Sequence, residues 1–341
     1  MMGEVRTSDA AAALGRVVSA LPGGGEPRPG QRTMAEAVAK AITRKNHLVV
    51  QAGTGTGKSL AYLVPAIESG ARTVVATATK ALQDQLVGKD LPFLAEHLDR
   101  PFTFAALKGR ANYLCLQRAR EVLAAVDGDE QLSLDADAER APRVELIKLV
   151  EWATTAETGD RADLDFEPSP RAWAALSTSA RDCPGAARCP VGEACFAERA
   201  RATAAEADVL VVNHHLYGLH LASGGAVLPD HELVVIDEAH QLEETISATA
   251  GLEISGGTFT ALARTARSLI ADDRLIGDLE ATGAQVTDAL DPLRDRRLRQ
   301  PDEVLTAAFA VARGRVDMEL AAVRKIDAEV GVVAARKQRV V

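Results

Sequence analysis

An α/β protein built on a parallel sheet is what this 341-residue chain predicts, on three grounds. Short apolar runs recur at Leu48–Val50, Arg72–Thr77, Val209–Val212 and Leu233–Ile236. Segments of helical spacing lie between them, the alternation expected of a sheet covered on both faces. One run leads straight into the glycine-rich stretch AGTGTGKS at residues 52–59, giving the strand, loop, helix order of a phosphate-binding motif.

The elements follow in order. Residues 1–27 form an N-terminal helix and a Gly/Pro-rich entry loop, GGGEPRPG at 23–30. Met34, Val38 and Ile42 then stand four apart, on one face of a helix. Leu48–Val50 is the strand before the phosphate loop, and Ser59–Leu63 begins the helix after it. Pro65 should end or kink that helix, because it lacks a backbone donor. Arg72–Thr77 is a second buried strand, followed by a helix carrying Leu82 and Leu86. Residues 127–142 are acidic and poor in large apolar side chains, as in a solvated connector. Beyond residue 251 the strand pattern gives way to Ala, Leu, Arg and Asp, which reads as helical.

Each residue of the loop Ala52-Gly53-Thr54-Gly55-Thr56-Gly57-Lys58-Ser59 has a task. The glycines allow tight turns and close backbone approach, so successive N–H groups point at phosphate oxygens. The helix starting near Lys58 adds the partial positive charge of its N-terminus. Lys58 should reach the β- and γ-phosphates of a nucleotide, and the Ser59 hydroxyl should ligate Mg²⁺; the motif alone does not separate a kinase, a transporter ATPase, a GTPase and a helicase. The first motif position is Ala52 where glycine is usual. The run Leu233–Ile236 ends in Asp237-Glu238-Ala239-His240. Asp237 is placed to hold Mg²⁺ through water, and Glu238 to orient and deprotonate the attacking water. His240 either couples nucleotide state to a neighbouring segment or caps the turn.

The four cysteines are Cys115, Cys183, Cys189 and Cys195. The chain lacks the C-x₂₋₄-C pairs usual in structural zinc sites. Four thiolates are also the complement of an iron–sulfur cluster, whose spacings vary more widely. Pro184 and Pro190 each follow a cysteine, as suits loop ligands. Cluster, zinc site and buried thiols without metal all remain open from the residues alone.

Composition bounds the rest. A hydrophobic content of 47% supplies a packed core, while an aromatic share of 4% leaves its filling to Ala, Val and Leu. No run approaches the roughly 20 apolar residues of a membrane span. Glu4, Asp9 and Arg16 interrupt the N-terminus, against a secretory signal. The expectation is a cytoplasmic protein without a membrane partner, where clustered cysteines more often bind metal than pair. The formal net charge of -9 argues against nucleic-acid binding by bulk charge but leaves room for a local basic groove.

Together these stretches closely resemble the DinG branch of the XPD-like superfamily 2 DNA helicases. The matching segments are Arg28-Pro29-Gly30-Gln31, AGTGTGKS, TATKALQDQL from Thr77, KGRANYLC from Lys108, the three later cysteines, VVNHH from Val211, and VVIDEAH. They run in family order over about residues 28–244. The resemblance implies a RecA-like motor domain that hydrolyses ATP while translocating on single-stranded DNA, generally 5′ to 3′. It implies a [4Fe–4S] cluster on the four cysteines, in a small inserted domain, and a helical arch after the DEAH strand. Gln31 then matches the glutamine that reads adenine. Thr77, Thr79, Lys108, Arg110 and Asn213 fall in segments expected to face DNA.

The domain plan so implied is motor domain 28–110, iron–sulfur insertion 111–200, motor domain 201–250, and an arch-like region 251–341. One departure stands out. After residue 250 no QxxGRxxR-type segment of a second motor domain is found, and Arg294, Arg296, Arg297 and Arg299 do not match it. The expectation is therefore the front half of a helicase with little turnover alone, with a second chain as one source of the missing motor domain. Two other readings compete: a non-catalytic nucleotide- or DNA-binding module, and a small-molecule kinase with a zinc knuckle. Single-stranded DNA binding separates the last from the helicase.

Overall fold

A computed structural model describes residues 7–26, 28–53, 55–127, 143–180, 182–250, 254–267, 269–296, 298–300 and 302–326. The acidic stretch 127–142, expected as a connector, lies almost wholly outside them, as does Thr54 of the phosphate loop. The chain divides into two compact units, Met1–Ser177 with Val191–Gly251, and Thr178–Pro190 with Leu252–Val341.

In the first unit, helix α1 (Thr7–Ser19) buries Ala10, Ala13, Leu14, Val17 and Val18, a helical stripe. Helix α2 (Pro29–Arg44) starts on a proline, whose missing N–H costs nothing at that position, and ends at Lys45 in the left-handed region. Helix α3 (Lys58–Ser69) follows the phosphate loop. Pro65 does not end it, contrary to expectation. Leu63, Val64, Ala66 and Ile67 around the proline are all buried, and their packing outweighs one lost ladder bond.

Four strands form the sheet: β1 (Thr73–Thr77), β2 (Phe104–Ala106), β3 (Val209–Asn213) and β4 (Leu233–Ile236). Their order is β2-β3-β1-β4, and every pairing is parallel. Val75, Val209 and Val211 enter the core that contains α1 and α3. Val74, Ala76, Leu210 and Val212 enter a second core on the other face. Successive side chains alternate between two buried faces, which is why these strands read as unbroken apolar runs.

Leu48–Val50 departs from its expected role. The segment makes no strand, and its side chains are 43%, 95% and 40% exposed. β4 pairs with β1 on one side, and its other edge carries no strand among the described residues. Leu48–Val50 pairs with no strand among the described residues, so its apolar composition alone does not make it part of the sheet.

After β1 come α4 (Lys80–Gln85), a π-helical turn (Leu86–Asp90) and α5 (Leu91–His97). Buried Gln83 ties α4 to the sheet by donating to the carbonyls of Leu107 at 3.0 Å and Val211 at 2.9 Å. The cysteine-bearing stretch contributes α6 (Leu116–Asp127), α7 (Arg143–Thr155), α8 (Pro170–Leu176) and α9 (Phe196–Glu206). These build a core of their own from Tyr113, Leu114, Val122, Leu149, Trp173 and Phe196, among others. Helices α10 (His214–Ala222) and α11 (Leu242–Ala250) follow β3 and the DEAH tetrad.

The second unit is helical, with α12 (Gly256–Ala266), α13 (Asp273–Leu290) and α14 (Glu303–Arg324) around Ile276, Leu279, Val286, Ala312 and Val323. Asp272 and Asp302 cap α13 and α14 by accepting their first N–H groups. Helices α12 and α13 touch backbone to backbone at Gly256 and Gly283, where a Cβ on Gly283 would lie 2.7 Å from the Gly256 carbonyl oxygen. Inside this bundle Glu319 is 1% exposed, and neither carboxylate oxygen has a hydrogen-bond partner.

Candidate nucleotide-binding site

The site assembles where the start of α3 faces the tip of β4. Gly55 and Gly57 hold φ of 78° and 76°, a backbone region that disfavours other residues. A side chain at Gly57 would also collide with the Gln31 amide. That amide donates to the Gly57 carbonyl at 2.9 Å, and Arg28 donates to the Gly55 carbonyl. Thr56 closes the loop on itself by donating to the Gly53 carbonyl at 2.9 Å. Gln31 is thus buried against the phosphate loop, and Arg28, three residues before it, belongs to the same brace.

Lys58 lies 2.5 Å from Glu238 Oε1 and 3.9 Å from Asp237 Oδ1, joining residues 180 apart in sequence. The hydrogen bond from Lys58 holds the Glu238 carboxyl below the ordinary carboxylate range, and the same bond raises the lysine. Both groups are therefore charged at neutral pH. Glu238 has φ of 54°, in the left-handed region for a non-glycine residue, a local cost of the kind that gathers at functional sites. His240 stands at the rim, with Nδ1 3.5 Å from Glu238 Oε2 and its side chain 69% exposed.

Asp237 is held on every side. Its N–H donates to the Ala76 carbonyl at 2.9 Å, continuing the β1–β4 ladder. Its Oδ1 accepts the Glu238 N–H at 3.0 Å, and its Oδ2 accepts the Tyr62 hydroxyl at 3.2 Å. Burial and the nearby Asp237 carboxylate push the Tyr62 hydroxyl well above its ordinary value, so it remains a donor. The His214 ring reaches the Asp237 carbonyl through Nε2 at 2.9 Å. Burial lowers His214, which stays neutral and donates at that nitrogen. Tyr62 lies past the loop signature, and His214 falls in the VVNHH segment without a role assigned to it from sequence.

The residues expected to face DNA have defined local work. Thr79 caps α4 by accepting the Leu82 N–H, and Asn213 caps α10 by accepting the Leu216 N–H. Buried Thr77 donates to the Thr79 carbonyl at 3.1 Å. Thr77 and Asn213 are register partners at the carboxyl ends of β1 and β3. Lys108 is corrected by the structure. Its side chain is 5% exposed and its ammonium lies between Asp84 at 2.7 Å and Asp160 at 2.8 Å. In this arrangement it joins α4 to the cysteine-bearing stretch. Arg110 is engaged by Glu198.

The four cysteines form no disulfide, and each is partly covered. Cys115 donates its N–H to the Leu176 carbonyl at 2.7 Å, and Cys195 caps α9. Cys183 and Cys189 fall in the second unit. Among the described residues no three His, Cys, Asp or Glu side chains converge as a metal site. No described helix is long and apolar enough to cross a membrane.

Comparison with known proteins fits this geometry. Residues 29–111 match the DEAD/DEAH box helicase family. The chain is 44% identical over 297 residues to the ATP-dependent helicase DinG of Mycobacterium tuberculosis, covering 84% of this chain and 44% of that protein. It is 38% identical over 255 residues to the ATP-dependent DNA helicase YoaA of Escherichia coli, covering 73% and 38%. It is 32% identical over 243 residues to the 3'-5' exonuclease DinG of Bacillus subtilis, covering 69% and 25%. The chain thus spans less than half the length of these relatives.

Proposed function

Because the chain is DinG-like over 84% of its length, we propose that it supplies the ATP-binding motor domain of a DNA helicase that moves along single-stranded DNA. The observation that carries this reading is the meeting of Lys58 with Asp237 and Glu238, one from a glycine-rich loop and two from a strand tip. Phosphoryl transfer asks the protein mainly for positioning and charge neutralisation, and these three groups provide both.

Lys58 is paired with Glu238 in the structure. A triphosphate entering the loop offers Lys58 a more highly charged partner, and the lysine moves from Glu238 to the β- and γ-phosphate oxygens. The released carboxylate then accepts a proton from water as that water attacks the γ-phosphorus. The bond to the bridging oxygen breaks, and ADP and phosphate are the products. Mg²⁺, when bound, neutralises phosphate charge; Ser59 and Asp237 are the residues that would hold it. Their oxygen donors suit a hard cation. Gln31, beside the loop, would read the adenine edge.

For nucleic acid, the carboxyl ends of β1 and β3, with Thr77, Thr79 and Asn213, are the proposed path for single-stranded DNA. Cys115, Cys183, Cys189 and Cys195 are the proposed ligands of a [4Fe–4S] cluster. Four thiols outside any disulfide and only partly covered have the right donor chemistry. Such a cluster would brace the stretch between the two parts of the motor domain. A [4Fe–4S] assignment requires iron and acid-labile sulfide in equal amounts after anaerobic purification, and stoichiometric zinc instead would overturn it.

The decisive experiment on the main reading is nucleotide binding by a fluorescent ATP analogue. The wild-type chain should bind, and Lys58→Ala should lose binding while keeping its metal content. Binding unchanged in Lys58→Ala would refute the assignment of the site.

A further inference from the structure

A buried hydroxyl is costly unless it is bonded, and phenylalanine would fill the same space without that cost. Tyr62 is 4% exposed and packs in the core that also holds Ala61, Leu63, Val64 and Leu91. Packing fixes its ring, and its hydroxyl donates to Asp237 Oδ2 at 3.2 Å, joining residues 175 apart in sequence. The bond crosses from α3, the helix that opens with Lys58 and Ser59, to the residue that follows β4.

Lys58 and Tyr62 stand about one helical turn apart on α3, and both reach this strand tip. They are not equivalent. Lys58 pairs with Glu238 at 2.5 Å, a bond given up when a triphosphate takes the lysine. Tyr62 is held in the core and keeps its acceptor. The Asp237 backbone is fixed as well, by its N–H on the Ala76 carbonyl at 2.9 Å and by the His214 ring on its own carbonyl at 2.9 Å. Oδ1 accepts the Glu238 N–H and Oδ2 accepts Tyr62, so each carboxylate oxygen retains a lone pair for a further partner.

We propose that Tyr62 is a positioning residue for the cation of the nucleotide site, a strut from α3 to the tip of β4 that sets the spacing between the Ser59 hydroxyl and the Asp237 carboxylate. This rests on the reading of the loop as an ATP site in which those two residues hold magnesium. Mg²⁺ demands near-ideal octahedral geometry at about 2.0–2.1 Å, whereas Ca²⁺ accepts flexible shells at about 2.3–2.6 Å. A fixed spacing therefore favours the smaller ion, and loss of the strut weakens Mg²⁺ more than Ca²⁺.

The test is equilibrium binding of a fluorescent ATP analogue to the full chain, in EDTA and in separate Mg²⁺ and Ca²⁺ titrations. Tyr62→Phe keeps the ring and removes only the hydroxyl. Removing a group that orients a metal ligand typically weakens metal affinity about 10–100-fold. The variant should therefore need at least about tenfold more Mg²⁺ for half-maximal tightening, with a smaller shift for Ca²⁺ and wild-type affinity in EDTA. In an Asp237→Ala background the same substitution should add nothing further. A wild-type Mg²⁺ midpoint in Tyr62→Phe would overturn the proposal. So would an equal loss in EDTA, which marks general damage to the loop, or equal shifts for the two ions, which mark a bond that sets no spacing. Should Tyr62→Phe fail to fold, Tyr62→Met is judged by the same midpoints. Wild-type binding that Mg²⁺ does not tighten would overturn the cation assignment, and the strut with it. No binding by the wild-type chain in any condition would overturn the ATP-site reading itself, a failure distinct from that of the strut.

Discussion

Replacing Glu319 by glutamine should abolish a pH dependence that the helical unit otherwise carries. Both carboxylate oxygens are buried without hydrogen-bond partners, and desolvation pushes the carboxyl up from an ordinary 4.5 to about 7. A raised carboxyl binds its proton more tightly in the folded state than in the unfolded one. Its stabilisation is complete below about pH 4.5 and declines as pH rises, vanishing above about pH 7. The difference of about 2.5 pH units corresponds to roughly 3 kcal/mol, at 1.36 kcal/mol per unit. Urea unfolding followed by circular dichroism at pH 5 and pH 8 measures it directly. The wild-type helical unit should lose roughly 2–3 kcal/mol between these values, and Glu319→Gln should be flat across the same window. At pH 8 the variant should be the more stable protein, despite retaining a polar group in the core. Equal wild-type stability at both values would refute the argument, because a buried carboxyl that titrates normally has found a partner or water.

Two further substitutions test the packing. Lys108→Met fills the same space but strands Asp84 and Asp160, and the latter side chain is only 16% exposed. It should cost about 2–4 kcal/mol in denaturant unfolding, and Lys108→Met with Asp160→Asn should recover part of it; no loss would mean the cluster is solvated. Gly283→Ala drives a methyl group into the Gly256 carbonyl, 2.7 Å away. The two helices must separate, at about 1–3 kcal/mol, visible as a lowered melting temperature; an unchanged one would show that they part without cost.

The parts of the fold that the sequence made legible are those whose signal is local. β1, β3 and β4 are buried on both faces or paired in the sheet, so their apolar runs announce them. β2, Phe-Ala-Ala, has three residues and two of them are alanine, too little pattern to distinguish from a loop. Pro65 misled because its rule is local while the packing that holds α3 together is tertiary. Leu48–Val50 misled in the opposite direction: its composition suits a strand, but a strand also needs a neighbour. At the site, Lys58, Asp237 and Glu238 follow from motif chemistry. Tyr62 holds Asp237 from a position past the loop signature, and His214 and Arg28 lie in segments of the family resemblance to which the sequence assigned no role. Lys108 illustrates the converse, since a lysine in a basic-looking segment carries no mark of the two carboxylates it pairs with in the fold.

The outer edge of β4, unpaired among the described residues, and the water-facing Val49 beside the phosphate loop bear on how this polypeptide behaves at high concentration. A sheet edge without a partner strand among the described residues and an exposed apolar tripeptide are each an invitation to a passing strand. Purified by itself, the chain should grow stickier with concentration, and charged replacements at Val49 should keep it dispersed without touching the lysine that grips phosphate.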